Sequence, residues 1–194
     1  VLIQGKGQAG KFSGQMVGAY SLGKLIGRGA MGEIYIAYHQ STKEQAAVKL
    51  LMLDHTERET SIARFHREGA QLTKLHSPHI VRVFEYGDLD GVQPYIIMEF
   101  LRGRDLASIL RDSPKMRFIE VVEMVEDIAK GLEVAHSGGV VHRDLKPQNI
   151  FRCDGDHHWK ILDFGVCTLV GEGSSLTREM VVGTPGYMAP EQAK

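Results

Sequence analysis

Cysteine is scarce in this chain. Its 194 residues include two, Cys153 and Cys167, and no CxxC pair. Two thiols make no disulfide framework, and such sparse use fits a reducing compartment. Long apolar runs are missing too. No stretch of about 18 apolar residues occurs, so nothing reads as a membrane-spanning helix. The N-terminus shows no apolar core of a secretory signal. The expected location is therefore the cytoplasm, with room left for an anchor downstream of Lys194. Charge of one sign is not in excess: the net charge is −1. A nucleic-acid partner would show as a basic excess, so none is expected. No internal repeat is found. What remains is ordinary for a soluble globular protein, with 43% apolar and 24% charged residues. The length allows one domain or two small ones.

One shortage is local. The first 32 residues contain Lys6, Lys11, Lys24 and Arg28 but no acid, and the first acid is Glu33. Residues 1–18 hold five glycines and no periodic pattern, so they read as a flexible, basic lead-in.

Two stretches fit G-x-G-x-x-G: GKGQAG at 5–10 and GRGAMG at 27–32. A dinucleotide site needs a helix after the glycines and an acid about 20 residues on. The first stretch is followed by Lys11–Gly18, a poor helix with two glycines. Phe12 stands where a P-loop needs a hydroxyl. The first match is best treated as coincidence. The second stretch lies between two strand-like runs, so it predicts a hairpin. Bare backbone N–H groups there could face phosphate, but an ordinary turn explains the glycines equally well.

The texture from Tyr20 is a strand meander: Ser21–Ile26, Ile34–His39 and Gln45–Leu51. A helix is predicted over Thr60–Leu75, stopped by Ser77-Pro78. Strands follow at Ile80–Tyr86 and Pro94–Phe100, around Asp88–Gly91. After Gly103 the pattern turns helical, with a long amphipathic stretch from Ile119 to Ala135 closed by Ser137-Gly138-Gly139. Two short strands, Asn149–Arg152 and Trp159–Leu162, flank Asp154-Gly155. The class is α+β: a five-stranded antiparallel sheet with one helix, then a mainly helical part.

Single residues sharpen this. Strand alternation puts Ala47 and Lys49 on one sheet face. A lysine facing inward is costly to bury alone. Glu68 lies on the apolar face of the predicted helix, three after Phe65 and four before Leu72. A Lys49–Glu68 ion pair is therefore expected. Further on come Val141-His142-Arg143-Asp144-Leu145-Lys146-Pro147-Gln148-Asn149, then Leu162-Asp163-Phe164-Gly165, then Gly183-Thr184-Pro185-Gly186-Tyr187-Met188-Ala189-Pro190-Glu191.

In this order, the elements resemble the protein-kinase signature set. The resemblance covers about Tyr20 to Lys194. It implies a bilobal fold, with an N-lobe over 19–101 and a partial C-lobe over 102–194. It implies ATP and Mg²⁺, or Mn²⁺ in its place, as cofactors. Ile26, Gly27, Arg28, Gly29, Ala30, Met31, Gly32, Glu33 and Ile34 would cover the phosphates. Lys49, held by Glu68, would bind the α- and β-phosphates. Ala47, Met98, Glu99, Leu101 and Phe151 would surround the adenine. Asn149 and Asp163 would hold metal. Asp144 would accept the proton of the substrate hydroxyl, and Lys146 would neutralise the γ-phosphate. Lys146 and Thr184 imply serine/threonine specificity on protein substrates, most like the bacterial branch. Arg143 implies activation by phosphorylation, with Thr177 and then Ser175 as phosphosites. Thr184 is expected against Asp144 and Lys146 instead. Dimerisation would serve autophosphorylation.

The chain ends three residues after Glu191, where the resemblance implies further helices. It therefore reads as part of a kinase domain, expected to be poorly stable or inactive alone. Two other readings stay open. A pseudokinase would bind nucleotide without transfer, but it usually lacks one of the residues equivalent to Lys49, Asp144 or Asp163. A small-molecule kinase would lack the segment ending at Glu191. Two decoys also stand out: Cys167 near Asp163, and a ligand-rich patch of Cys153, Asp154, Asp156, His157 and His158, best read as a polar turn.

Overall fold

The computed structural model describes residues 8–29, 32–52, 62, 65–66, 69–164, 184–188 and 190. Its first part is an antiparallel sheet of six strands. They are β1 (Met16–Val17), β2 (Tyr20–Gly29), β3 (Gly32–His39), β4 (Gln45–Leu51), β5 (Val83–Leu89) and β6 (Gln93–Glu99). Their spatial order is β1-β2-β3-β4-β6-β5.

β4 is buried from Ala46 to Leu51, which explains its unbroken apolar run. Alternate residues feed two different cores. Ala47 and Leu51 join Phe65, Ile96, Met98, Leu101 and Phe151 on the inner face. Ala46, Val48 and Leu50 join Leu22, Tyr35, Ala37, Tyr95 and Ile97 on the outer face. Lys49 shares the inner face with Ala47 and is almost fully buried. The described residues near Phe65 are helical at 62, 65–66 and 69–72, and Phe65 and Leu72 are buried.

The sixth strand corrects the five-stranded expectation. Residues 8–18 were expected to be a loose lead-in, yet they dock on the outer face of the sheet. Val17 is fully buried, and Phe12 packs edge-on against Tyr35. Phe12 N–H donates to Tyr35 Oη at 3.3 Å, and Ser13 Oγ donates to the Gly23 carbonyl at 2.7 Å. The physical reason is cover. An apolar outer face left in water would forfeit about 1.5–3 kcal/mol for each large side chain. Composition misleads here because Gly10 is a contact residue. A Cβ on it would stand 2.4 Å from Tyr35 Oη, so only glycine lets the segment approach so closely.

The second part starts with β7 (Gly103–Asp105), too short to be predicted from pattern. It pairs with β8 (Ile150–Cys153), which pairs with β9 (Trp159–Ile161). Asp105 caps α1 (Leu106–Asp112) by accepting from Ser108 N–H at 2.8 Å and Ser108 Oγ–H at 2.6 Å. α2 (Phe118–Ser137) follows. Glu120 accepts from Arg117 N–H at its start, and Gly138 N–H closes its end on the Val134 carbonyl. Ile128, Gly131 and Ala135 form its buried face against Ile161 and Trp159. Ile119 and Val122, expected on that apolar stripe, are exposed, as are Phe118 and Val125.

Candidate active site

The site lies on the inner face of the first sheet and the edge of the second. The glycine hairpin is β2–β3, with Gly27 opposite Ile34, Arg28 opposite Glu33 and Gly29 opposite Gly32. Its tip residues, Ala30 and Met31, lie outside the described residues. Gly32 has φ 144°, and a Cβ there would meet the Leu50 carbonyl at 1.9 Å, so the fold itself demands glycine. Gly29 has open space around it. The Glu33 carboxylate is buried, taking Arg28 Nη2 at 2.7 Å and Tyr35 Oη–H at 2.6 Å. These contacts tie the hairpin to the docked N-terminal segment through Tyr35.

The apolar walls converge. Ala47, Met98, Leu101 and Phe151 are buried in one cluster, with Ile26, Ile34 and Phe100 packed against it. Glu99 turns its side chain away. Its Oε1 accepts from Arg82 N–H at 2.8 Å and Lys160 Nζ at 2.7 Å. Behind Met98 a pocket opens, lined by Leu72, Leu75, Val81, Asp163 and Phe164 among others.

Lys49 Nζ lies 2.8 Å from Asp163 Oδ1. Burial disfavours the charged carboxylate, but the Lys49 ammonium outweighs it and holds Asp163 below the ordinary carboxylate range. Glu68, the expected partner of Lys49, lies outside the described residues, as do Ser175 and Thr177.

The catalytic-loop candidates form a connected set. Lys146 Nζ lies 2.6 Å from Asp144 Oδ2. It also donates to Thr184 Oγ1 at 2.9 Å, and that hydroxyl donates to Asp144 Oδ1 at 3.0 Å. Asn149 Nδ2 donates to the Asp144 carbonyl at 2.8 Å. A 3₁₀ turn, Pro147–Asn149, sets that reach. Arg143 and Asp163 both take left-handed φ, 63° and 55°. For a non-glycine residue this costs on the order of 1–2 kcal/mol, and such strain clusters at functional sites.

The spacing of the motif around Asp144 predicts no role for His142. It proves to be the clamp between loop and strand. Its Nδ1 accepts from Asp144 N–H at 3.3 Å, so Nε2 carries the proton and donates to the Leu162 carbonyl at 2.8 Å. Burial lowers its pKa, opposed by that carbonyl. The signal for it was position: two residues before Asp144, with its partner one residue before Asp163.

The Cys153 patch does not converge. Cys153 is buried in the inner core, while Asp154, Asp156 and His157 are exposed. His158 turns instead toward Asp127. Cys167 lies outside the described residues.

A lysine, an aspartate held anionic and an Asp–Lys–Thr–Asn cluster, all beside an apolar cluster, are the order and chemistry of one family. Its "Protein kinase domain" description matches residues 20–194.

This chain belongs to the protein kinase family.

Its relatives include the serine/threonine-protein kinase PknF of Mycobacterium tuberculosis, 38% identical over 92% of this chain and 39% of the relative. PknH of the same organism is 36% identical over 92% of this chain and 28% of its own length. The chain thus spans well under half the length of these relatives. The crystal structure of the M. tuberculosis PknI kinase domain superposes with a TM-score of 0.71. It is 31% identical, covering 79% of this chain and 61% of the other. The six-stranded part is the N-lobe of a kinase domain, and the part from β7 onward belongs to the C-lobe.

Protein kinases use ATP with a divalent metal. The residues here fit both. Asp163 is kept anionic and Asn149 carries an amide oxygen, donors of the kind a hard divalent cation takes. The apolar side chains of Ala47, Met98, Leu101 and Phe151 are of the kind that pack on a flat aromatic base.

Proposed function

We propose that this kinase domain transfers the γ-phosphoryl group of ATP to serine or threonine hydroxyls of protein substrates. The observation that carries this reading is the Asp144–Lys146–Thr184 network beside Asn149.

The chain's residues divide the work as follows. Ile26, Ile34, Ala47, Met98, Leu101 and Phe151 hold the adenine, with backbone groups at Glu99 and Leu101 reading its edge. The Gly27–Ile34 hairpin excludes water above the phosphates. Lys49 neutralises the α- and β-phosphates, with Glu68 as its support. Asp163 and Asn149 would hold Mg²⁺, which would supply neutralisation of the phosphate charge. Asp144 orients the hydroxyl and accepts its proton as the new O–P bond forms and the bond from the γ-phosphorus to the β-phosphate oxygen breaks. Lys146 carries positive charge to the transferred group. Thr184 holds both side chains in register. Autophosphorylation of Thr177, then Ser175, between two copies would place a phosphate that Arg143 can bind.

The test is phosphoamino-acid analysis and site mapping of the full reading frame after incubation with labelled ATP and a protein substrate. Phosphoserine and phosphothreonine are expected in the substrate, with label at Thr177 or Ser175. Phosphotyrosine alone would overturn the specificity. Label that reaches only small molecules would overturn the protein substrate.

A further inference from the structure

Away from the active site, three potential ligands meet that the sequence scatters over 80 positions. His79 lies in the stretch ahead of β5, Asp127 on α2 and His158 just before β9. His79 Nδ1 stands 3.5 Å from Asp127 Oδ1, and His158 Nδ1 stands 3.6 Å from Asp127 Oδ2. The two imidazoles sit edge to face, with centroids 5.6 Å apart. One donor atom from each residue lies within 4.8 Å of the other two.

Zinc bound tetrahedrally to nitrogen and oxygen at about 2.0–2.2 Å spaces its ligand atoms roughly 3.3–3.6 Å apart. His79 meets this spacing on Asp127 Oδ1 and His158 on Oδ2, so His158 has to swing toward the oxygen that His79 faces. The remaining edge, histidine to histidine, closes by turning one ring. His158 can turn, because half of its side chain is exposed, 51% against 9% for His79 and 15% for Asp127. The other two are held. Trp159 N–H donates to Asp127 Oδ2 at 3.0 Å and orients the carboxylate. Ile161 N–H donates to the His79 carbonyl, and Val81 N–H to the Ile161 carbonyl, each at 2.9 Å, which fixes the backbone that carries His79. The alternative use of these groups is a hydrogen-bonded triad. His79 Nδ1 also lies 3.3 Å from the Trp159 carbonyl, so a proton there has a place to go. Metal binding would displace that proton.

We infer that His79, Asp127 and His158 form a zinc site with its fourth position open to water. The two-nitrogen, one-carboxylate set suits Zn²⁺ and differs from the all-oxygen set of Asn149 and Asp163, which suits Mg²⁺. Its place gives it a structural consequence. It pins α2, the start of β9 and the lead into β5 at one point. β9 then runs on to Asp163, about 13 Å further along extended chain. A metal at Asp127 would steady, from its far end, the strand that delivers Asp163 to the active site.

The experiment uses the full-reading-frame protein, stripped with chelator and kept in excess Mg²⁺ so that the oxygen site is filled. It is titrated with Zn²⁺ by calorimetry and with Co²⁺ by visible absorption. One equivalent is expected to bind, with the d–d absorption of a tetrahedral Co²⁺ site. The melting temperature should rise on the order of 5 °C at a hundredfold excess of Zn²⁺ over its Kd. His158→Ala removes an exposed side chain, so the metal-free melting temperature should hold while affinity falls at least about 100-fold. Asp163→Asn should leave the titration unchanged. Absence of stoichiometric binding in the unsubstituted protein would overturn the inference. So would binding that survives both His158→Ala and His79→Gln, or that is lost in Asp163→Asn.

Discussion

Lys49 of β4 and Asp163 beyond β9 meet across the two lobes, Nζ to Oδ1 at 2.8 Å. Sheet alternation sends Lys49 inward, and the left-handed turn at Asp163 brings its carboxylate to the same point. Each residue is tolerable there because of the other.

Lys49→Met should therefore harm more than nucleotide binding. It leaves the Asp163 carboxylate without its cation, though a quarter of that side chain is exposed, so water softens the loss. A destabilisation of about 1–3 kcal/mol is expected by chemical denaturation, together with loss of transfer. Asp163→Asn on top of Lys49→Met should cost less than the two separate losses added together. Full additivity would show that the pair is not coupled. The pH sense follows from the lowered Asp163 value. The pair's stabilisation is complete above the ordinary carboxylate pKa of about 3.9 and is lost as pH falls through the lower folded value.

The N-terminal segment should behave as part of the domain. Removing it through Val17 uncovers the outer core around Tyr35 and Leu22. A loss of roughly 2–4 kcal/mol is expected from Phe12 and Val17 alone. An unchanged melting temperature would show that the docking contributes nothing. Tyr35→Phe keeps that cover but removes the 2.6 Å bond to Glu33. It should raise the KM for ATP a few-fold, because the hairpin loses a brace, with kcat little changed.

Much of this was readable from the chain, and the reasons are physical. Lys49 was legible because period-two alternation leaves little freedom once β4 is a strand. The burial of Ala47 and Met98 was legible as apolar residues at strand spacing. Residues 8–18 were not, because glycine needed for close approach has the same composition as glycine in a linker. β7 was too short for any periodicity. His142 and the His79–Asp127–His158 meeting depend on partners 20 to 80 residues away, which only the folded topology supplies.

Cys153 should be an inert thiol. Burial pushes its pKa up to about 11, so at pH 8 only about one molecule in a thousand carries the reactive thiolate. Alkylation followed by mass spectrometry should leave Cys153 unmodified in native protein and modify it in denaturant. Rapid native labelling would contradict the packing around it.

His142 gives the fold a mild acid sensitivity. Burial lowers its folded pKa below the free value of about 6.5. Its contribution is complete above that value. It is lost as pH falls from there through the lowered folded value, because the unfolded chain takes up the proton first. Melting temperatures from pH 8 to 5 should fall more steeply for the unsubstituted protein than for His142→Gln. Equal slopes would remove His142 from the account.

The central claim is that Asp144 takes the proton from a serine or threonine hydroxyl. The most direct measurement compares phosphate transfer by the full-reading-frame protein with that by its Asp144→Asn variant, on one protein substrate at saturating ATP. Asparagine keeps the shape and cannot accept the proton. A fall in kcat of about 100-fold to 10,000-fold, with ATP affinity retained, is predicted. Transfer that persists at the unsubstituted rate, or its absence from both proteins, would contradict the account.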